Sequence, residues 1–213
     1  MKRVGLAALI ALGATAAWGQ TIYTTTDPPE AIPDVGAAAC QDINVPSTGD
    51  LVGKLTVRVS ITHPFIGDLR IQLESPAPTQ LHILNRPGRS GSGFGNDDNL
   101  SSAVPILYSD TAPSGLSAED MGDGCSGTIG VTAGCPDNYL PDPDPSDTPP
   151  GAGTNLAIFN GEDPASLWRL CVNDAQAGNA GTLTSWSMTI EPAPIFADGF
   201  ESGTTSAWSL VVP

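Results

Sequence analysis

Three loops of this 213-residue chain concentrate oxygen donors: Asp68 in THPFIGD, Asn96-Asp97-Asp98-Asn99 in a Gly-rich stretch, and Asn173-Asp174 ahead of a turn. Calcium takes about six to eight oxygens from carboxylates, carbonyls and water at flexible geometry. Loops gathered at one end of a β-sandwich would make Asp68, Asp97, Asp98, Asn173 and Asp174 a calcium set. None of them forms an EF-hand loop, so the signal is one of composition. Asp68 suits turn capping equally well, because Asp after Gly readily accepts backbone N–H groups. A second acidic group, Asp137, Asp142, Asp144 and Asp147, alternates with Pro over much of its length. Carboxylate repulsion and Pro keep such a segment extended without any ligand, so it reads as a solvated loop.

Acid–base chemistry has few carriers here. The chain holds only two histidines, His63 and His82. A serine hydrolase needs a His base within hydrogen-bond reach of a Ser on a strained turn. His82 alternates inside a strand pattern, and His63 opens a hairpin turn. No G-x-S-x-G sequence occurs, so no catalytic residue is assigned and the chain reads as a non-enzyme.

Four Cys suit an oxidising compartment. Three pairings are open to them. Cys125 and Cys135 lie in one Gly-rich loop and suit a local staple; Cys40 precedes the first strand pattern and Cys171 sits in the last apolar stretch. The spacings are not those of a zinc site, and the expected pairing is Cys40–Cys171 with Cys125–Cys135.

The elements that must position these groups are short strands. The chain carries 24 Gly and 20 Pro, about a fifth of its length, and few helix-favouring Lys, Arg and Glu. Its length allows one domain of roughly 150 residues with appendages. A formal charge of −15 excludes nucleic acid and anionic membrane as expected partners. Residues 1–19 read as a bacterial Sec-type signal peptide: Lys2 and Arg3, an apolar run from Val4 to Ala17, then Ala17-Trp18-Gly19. Its removal leaves a net charge of −17. No segment is long and apolar enough for a membrane span, so the expected location is secreted, extracellular.

Residues 20–37 are Thr/Pro-rich and read as an extended lead-in with little to bury. Leu55, Val57, Val59 and Ile61 then alternate with polar residues, as do Leu69, Ile71 and Leu73, then Leu81 and Ile83 around His82. SPAP separates the last two. Residues 85–153 are irregular apart from VPILYSD, and Trp168–Val172 and Thr182–Ile190 supply closing strands. In the last one, Leu183, Ser185, Ser187 and Thr189 are expected on one face and Thr184, Trp186, Met188 and Ile190 on the other. Six or seven strands without an amphipathic helix predict an all-β jelly-roll β-sandwich with antiparallel sheets, of galactose-binding-like type.

THPFIGDLRIQLESPAPTQLHIL resembles the opening hairpin of the P domain (P/Homo B domain) that follows the subtilisin-like catalytic domain of proprotein convertases. His63, Gly67, Asp68, Leu69, Leu73, Ser75, Pro76 and Leu81 occupy the positions of that pattern. FNGEDPASLWRLCVNDAQAGNAGTLTSWSMTIE resembles the closing strands of the same domain, through Phe159, Gly161, Trp168, Leu170, Val172, Asp174, Gly178, Gly181, Leu183, Trp186 and Ser187. The resemblance spans residues 38–192. It departs at Ser166-Leu167-Trp168, where the family has Gly-x-Trp, and in a longer insertion, residues 122–153, with its own Cys pair.

The resemblance implies a secreted accessory or binding module associated with subtilisin-like serine endopeptidase proteolysis, and the oxygen-rich loops make calcium the expected cofactor. The catalytic domain is expected to be absent, since the signal and the P domain are about 20 residues apart. The partner is then a secreted subtilisin-like protease or a cell-surface glycan; the second reading makes the chain a carbohydrate-binding β-sandwich module. Sugar platforms need exposed aromatics, whereas Trp168 and Trp186 read as core. Residues 193–213, with Phe196, Phe200 and Trp208, resemble a short tail that ends many secreted proteins of Gram-negative bacteria.

Overall fold

The computed structural model describes residues 19–89, 93–142 and 155–194. Expectations that fall on residues 1–18, on Asp144 and Asp147, and on residues 195–213 therefore lie outside the described residues. Ten strands form: β1 (Thr21–Thr24), β2 (Glu30–Ile32), β3 (Ala39–Val45), β4 (Val52–Thr62), β5 (Leu69–Glu74), β6 (Gln80–Asn85), β7 (Ile106–Ser109), β8 (Asn138–Tyr139), β9 (Ser166–Asp174) and β10 (Gly181–Pro192). Three short 3-10 turns accompany them, with no α-helix among the described residues.

The strands divide into two sheets. One runs β1-β10-β4-β7-β8 with β2 also on β10, and the other runs β3-β9-β5-β6. All pairs are antiparallel except β7 with β8. The alternation read along β4 and β5 points one face of each inward: Leu55, Val57, Val59 and Ile61 from β4 meet Leu69, Ile71 and Leu73 from β5, all at most 3% exposed. Each such side chain contributes on the order of 1.5–3 kcal/mol by leaving water. The result is the β-sandwich that the periodicity predicts.

Both closing-strand tryptophans are core, Trp168 at 0% and Trp186 at 1% exposure. Their indole N–H groups stay satisfied, donating to Pro164 O at 2.9 Å and Gln41 O at 3.2 Å. Phe159 meets Trp168 edge-on with ring centroids 5.3 Å apart.

The structure corrects two expectations. Residues 20–37 are not a lead-in with little to bury: β1 and β2 both pair with β10, and Ile32 is 1% exposed. Their Thr/Pro composition conceals the pairing because the exposed edge of a twelve-residue strand supplies it. The facing of β10 also differs, because Leu183 is buried with Trp186, Met188 and Ile190. A register shift between Leu183 and Ser185 inserts one residue and reverses the alternation.

The outer edge of β3 is closed by side chains. Cys40 N–H donates to Glu30 Oε2 at 2.9 Å and Asp42 N–H to Asp27 Oδ2 at 2.6 Å, while the Thr25 hydroxyl donates to Asp42 O at 3.0 Å. Capped in this way, the strand offers fewer free backbone groups to another chain. Both expected disulfides are present, Cys40–Cys171 across β3 and β9 and Cys125–Cys135 within its loop.

Candidate functional site

The opening and closing motif blocks meet at one end of the sandwich. Leu69 pairs with Asp174, and Ala175 N–H donates to Asp68 O at 2.8 Å, so the two Asp residues stand on neighbouring segments. His63 enters from the end of β4 in the other sheet. Its Nε2 lies 3.2 Å from Asp174 Oδ2, and both side chains are 0% exposed. Its Nδ1 lies 2.8 Å from Phe65 O. The second Asp174 oxygen accepts Gln176 N–H at 3.0 Å. Asp68 is 1% exposed, and its Oδ2 accepts from Asn179 Nδ2 at 3.1 Å. Asp68 Oδ1 is buried and has no hydrogen-bond partner among the described residues.

Burial pushes the Asp68 carboxyl above its ordinary value, since a low-dielectric setting disfavours the charged form. The Asn179 hydrogen bond opposes that shift, the Asp174 charge adds to it, and His63 and Arg86 oppose it.

The motif glycines are close-approach positions. A Cβ on Gly67 would stand 2.6 Å from Asn96 N, and one on Gly181 would stand 2.4 Å from Thr62 O and 2.6 Å from His63 Cδ2. Gly67 N–H donates to Asn96 O at 2.9 Å, which lays the Gly-rich loop across the turn. A side chain at either glycine would push apart the segments that carry His63 and Asp68.

Of the five residues read as calcium ligands, only Asp68 and Asp174 come together. Asp98 is buried, but its Oδ1 accepts Gly127 N–H at 2.6 Å, which ties the Gly-rich loop to the Cys125–Cys135 loop. Asp97 is exposed. Asn173 precedes Asp174 in a strand, so it points to the opposite face, where its Nδ2 donates to Gly36 O at 3.0 Å. Among the described residues no group of three or more His, Cys, Asp or Glu side chains could hold a metal ion. At Asp68 and Asp174, three of four carboxylate oxygens already face nitrogen donors. That donor set does not fit calcium, which asks for about six to eight oxygens.

The cluster also contains residues that the motif reading did not single out: Arg86, Gln176 and Asn179. Arg86 sits in NRPGR, a loop-like context, and nothing local marks its side chain as buried. Chemically, a His–carboxylate pair suits a general base only where substrate can reach it. With both side chains at 0% exposure, this pair binds the two sheets together instead. The remaining histidine, His82, is half-buried on β6; burial, then the Arg70 charge, lowers its pKa.

Comparison with known proteins reaches the opening block of these residues, His63 to Arg86. The proprotein convertase P-domain family matches residues 52–110. The transglutaminase-activating metalloprotease of Streptomyces mobaraensis is 31% identical over 118 residues, which cover 54% of this chain and 15% of that protein. The chain thus spans about 15% of the length of that relative. Two crystal structures align with TM-scores of 0.42 and 0.41, a serine protease of Aeromonas sobria and the complex of that protease with its chaperone. Their identities are 20% and 19%, covering 81% and 82% of this chain and 26% and 27% of theirs. The stretch Val52–Asp110, which holds β4, the His63–Asp68 turn, β5, β6 and β7, is a proprotein convertase P-domain match, the family to which the motif residues point.

Proposed function

We propose that this chain is a secreted, non-catalytic P-domain protein that acts as an accessory or binding module for a subtilisin-like serine endopeptidase. The observation that carries the reading is the family match over residues 52–110, with His63, Gly67 and Asp68 serving as buried architecture. A His–Asp pair sealed from solvent gives substrate no base, which supports a non-catalytic role. The named relative is itself a protease, which supports an association with proteolysis. The glycan reading loses its natural platforms, because Trp168 and Trp186 are core.

The test immobilises the secreted form and exposes it to culture supernatant of its source, treated with a fluorophosphonate probe of active serine hydrolases. The expected result is retention of a labelled protease while the chain itself stays unlabelled. Labelling of the chain would make it an enzyme. Retention of polysaccharide without protease would move it to surface binding, and retention of an unlabelled metalloprotease would change the protease class.

A further inference from the structure

Arg86 follows β6 at 4% exposure and adopts φ 54°, a left-handed conformation that non-glycine residues seldom hold. Such a backbone persists where its surroundings over-determine it. Here Arg86 N–H donates to Leu69 O at 2.8 Å, its Nε donates to Gly67 O at 3.1 Å, and its terminal nitrogen reaches Gln176 Oε1 at 3.5 Å. Gly67 and Leu69 flank Asp68, and Gln176 is the residue whose N–H holds Asp174. The guanidinium is therefore fastened to the two segments that carry the buried carboxylates.

We propose that Arg86 is the built-in cation of this cluster, taking the charge-balancing role that the sequence pattern assigned to calcium, so that Asp68 and Asp174 hold no divalent ion. A guanidinium is charged at every accessible pH and presents donors in a fixed fork, so it needs neither loading nor release. Held against the same turn, it repels a second cation. The left-handed backbone at Arg86 is then what places the charge.

Thermal melts of the full chain in excess calcium and in chelator test this. The difference between the two conditions should be the same in wild type and in Asp68→Asn, to within about 1 °C. Arg86→Gln should lower the melting temperature, and adding Asp68→Asn to it should restore part of the loss, because the buried charge left alone is removed. A calcium-dependent rise in wild type that disappears in Asp68→Asn would overturn the proposal, as would simple addition of the two losses. Should Arg86→Gln not fold, equilibrium dialysis with calcium decides. Equal uptake by wild type and Asp68→Asn supports the proposal, and one ion fewer in the variant overturns it.

Discussion

Two carboxylates with nitrogen partners, one buried and one exposed, involve β9, and burial separates what they contribute. Asp174 holds His63 with both side chains at 0% exposure, and that contact joins the two sheets. Arg169 holds Asp42, its neighbour on β3 within one sheet, in two hydrogen bonds of 2.8 and 3.0 Å at 47% and 32% exposure. By distance alone the second pair is the better one. Burial reverses the ranking. In water the attraction is screened and side-chain ordering offsets most of it, whereas a buried group stripped of its partner has no solvent to turn to. Short distances in this molecule are therefore a poor guide to which contact maintains the fold.

The comparison breaks first at Asp174. Asp174→Ala should cost about 3–5 kcal/mol in denaturant unfolding, because His63 loses its partner in the core. A cost as small as that of Asp42→Ala would refute the burial argument. The disulfide beside the exposed pair comes next. Replacing Cys40 and Cys171 together by Ser should cost about 2–4 kcal/mol, more than the same change at Cys125 and Cys135. The closed loops span 131 and 10 residues, so the longer bridge removes more freedom from the unfolded chain. Equal losses would point to native-state contacts as the source.

Asp42→Ala should cost only about 0.2–1 kcal/mol, and the cost should shrink as salt is raised. A loss insensitive to salt would show that packing, and not charge, is the contribution. His82 gives the smallest effect and lies between the two extremes. Burial, then Arg70, holds its pKa below 6.5, so folding favours the neutral ring. Its contribution is present above pH 6.5 and fades as the pH falls through the lowered folded value. The stability of wild type relative to His82→Gln should therefore decline on acidification; a rise would reverse the sign of the assignment.

Much of the fold was legible because period-two alternation is a local property. Leu55 to Ile61 and Leu69 to Leu73 announce half-buried strands without knowledge of their partners. The Gly67 and Gly181 positions were legible only through the family pattern, since a close approach between distant segments leaves no local mark. Residues 20–37 misled because pairing on β10 is set by an edge far along the chain. Leu183 misled because a bulge is a property of two strands, and one strand read alone continues its alternation.

The site divides along the same line. Composition marked Asp68, Asp97, Asp98, Asn173 and Asp174 as oxygen donors, of which the structure sets Asp68 and Asp174 on neighbouring segments. It could not separate Asn173 from Asp174, which strand geometry sends to opposite faces. Nor could it find Arg86, whose burial depends on Gly67, Leu69 and Gln176 together.

The sequence by itself determined the all-β class and the inward faces of β4 and β5, and it favoured one of three disulfide pairings. Those follow from periodicity, residue chemistry and spacing, which are written along one chain. Tertiary structure alone decided that His63 is sealed, that the Arg86 side chain is bonded to Gly67 and Gln176, that three nitrogen donors surround the Asp68–Asp174 carboxylates, and that the outer edge of β3 is capped. Each depends on which distant segments share a volume, and burial sets the energy of a polar group only once that volume is closed.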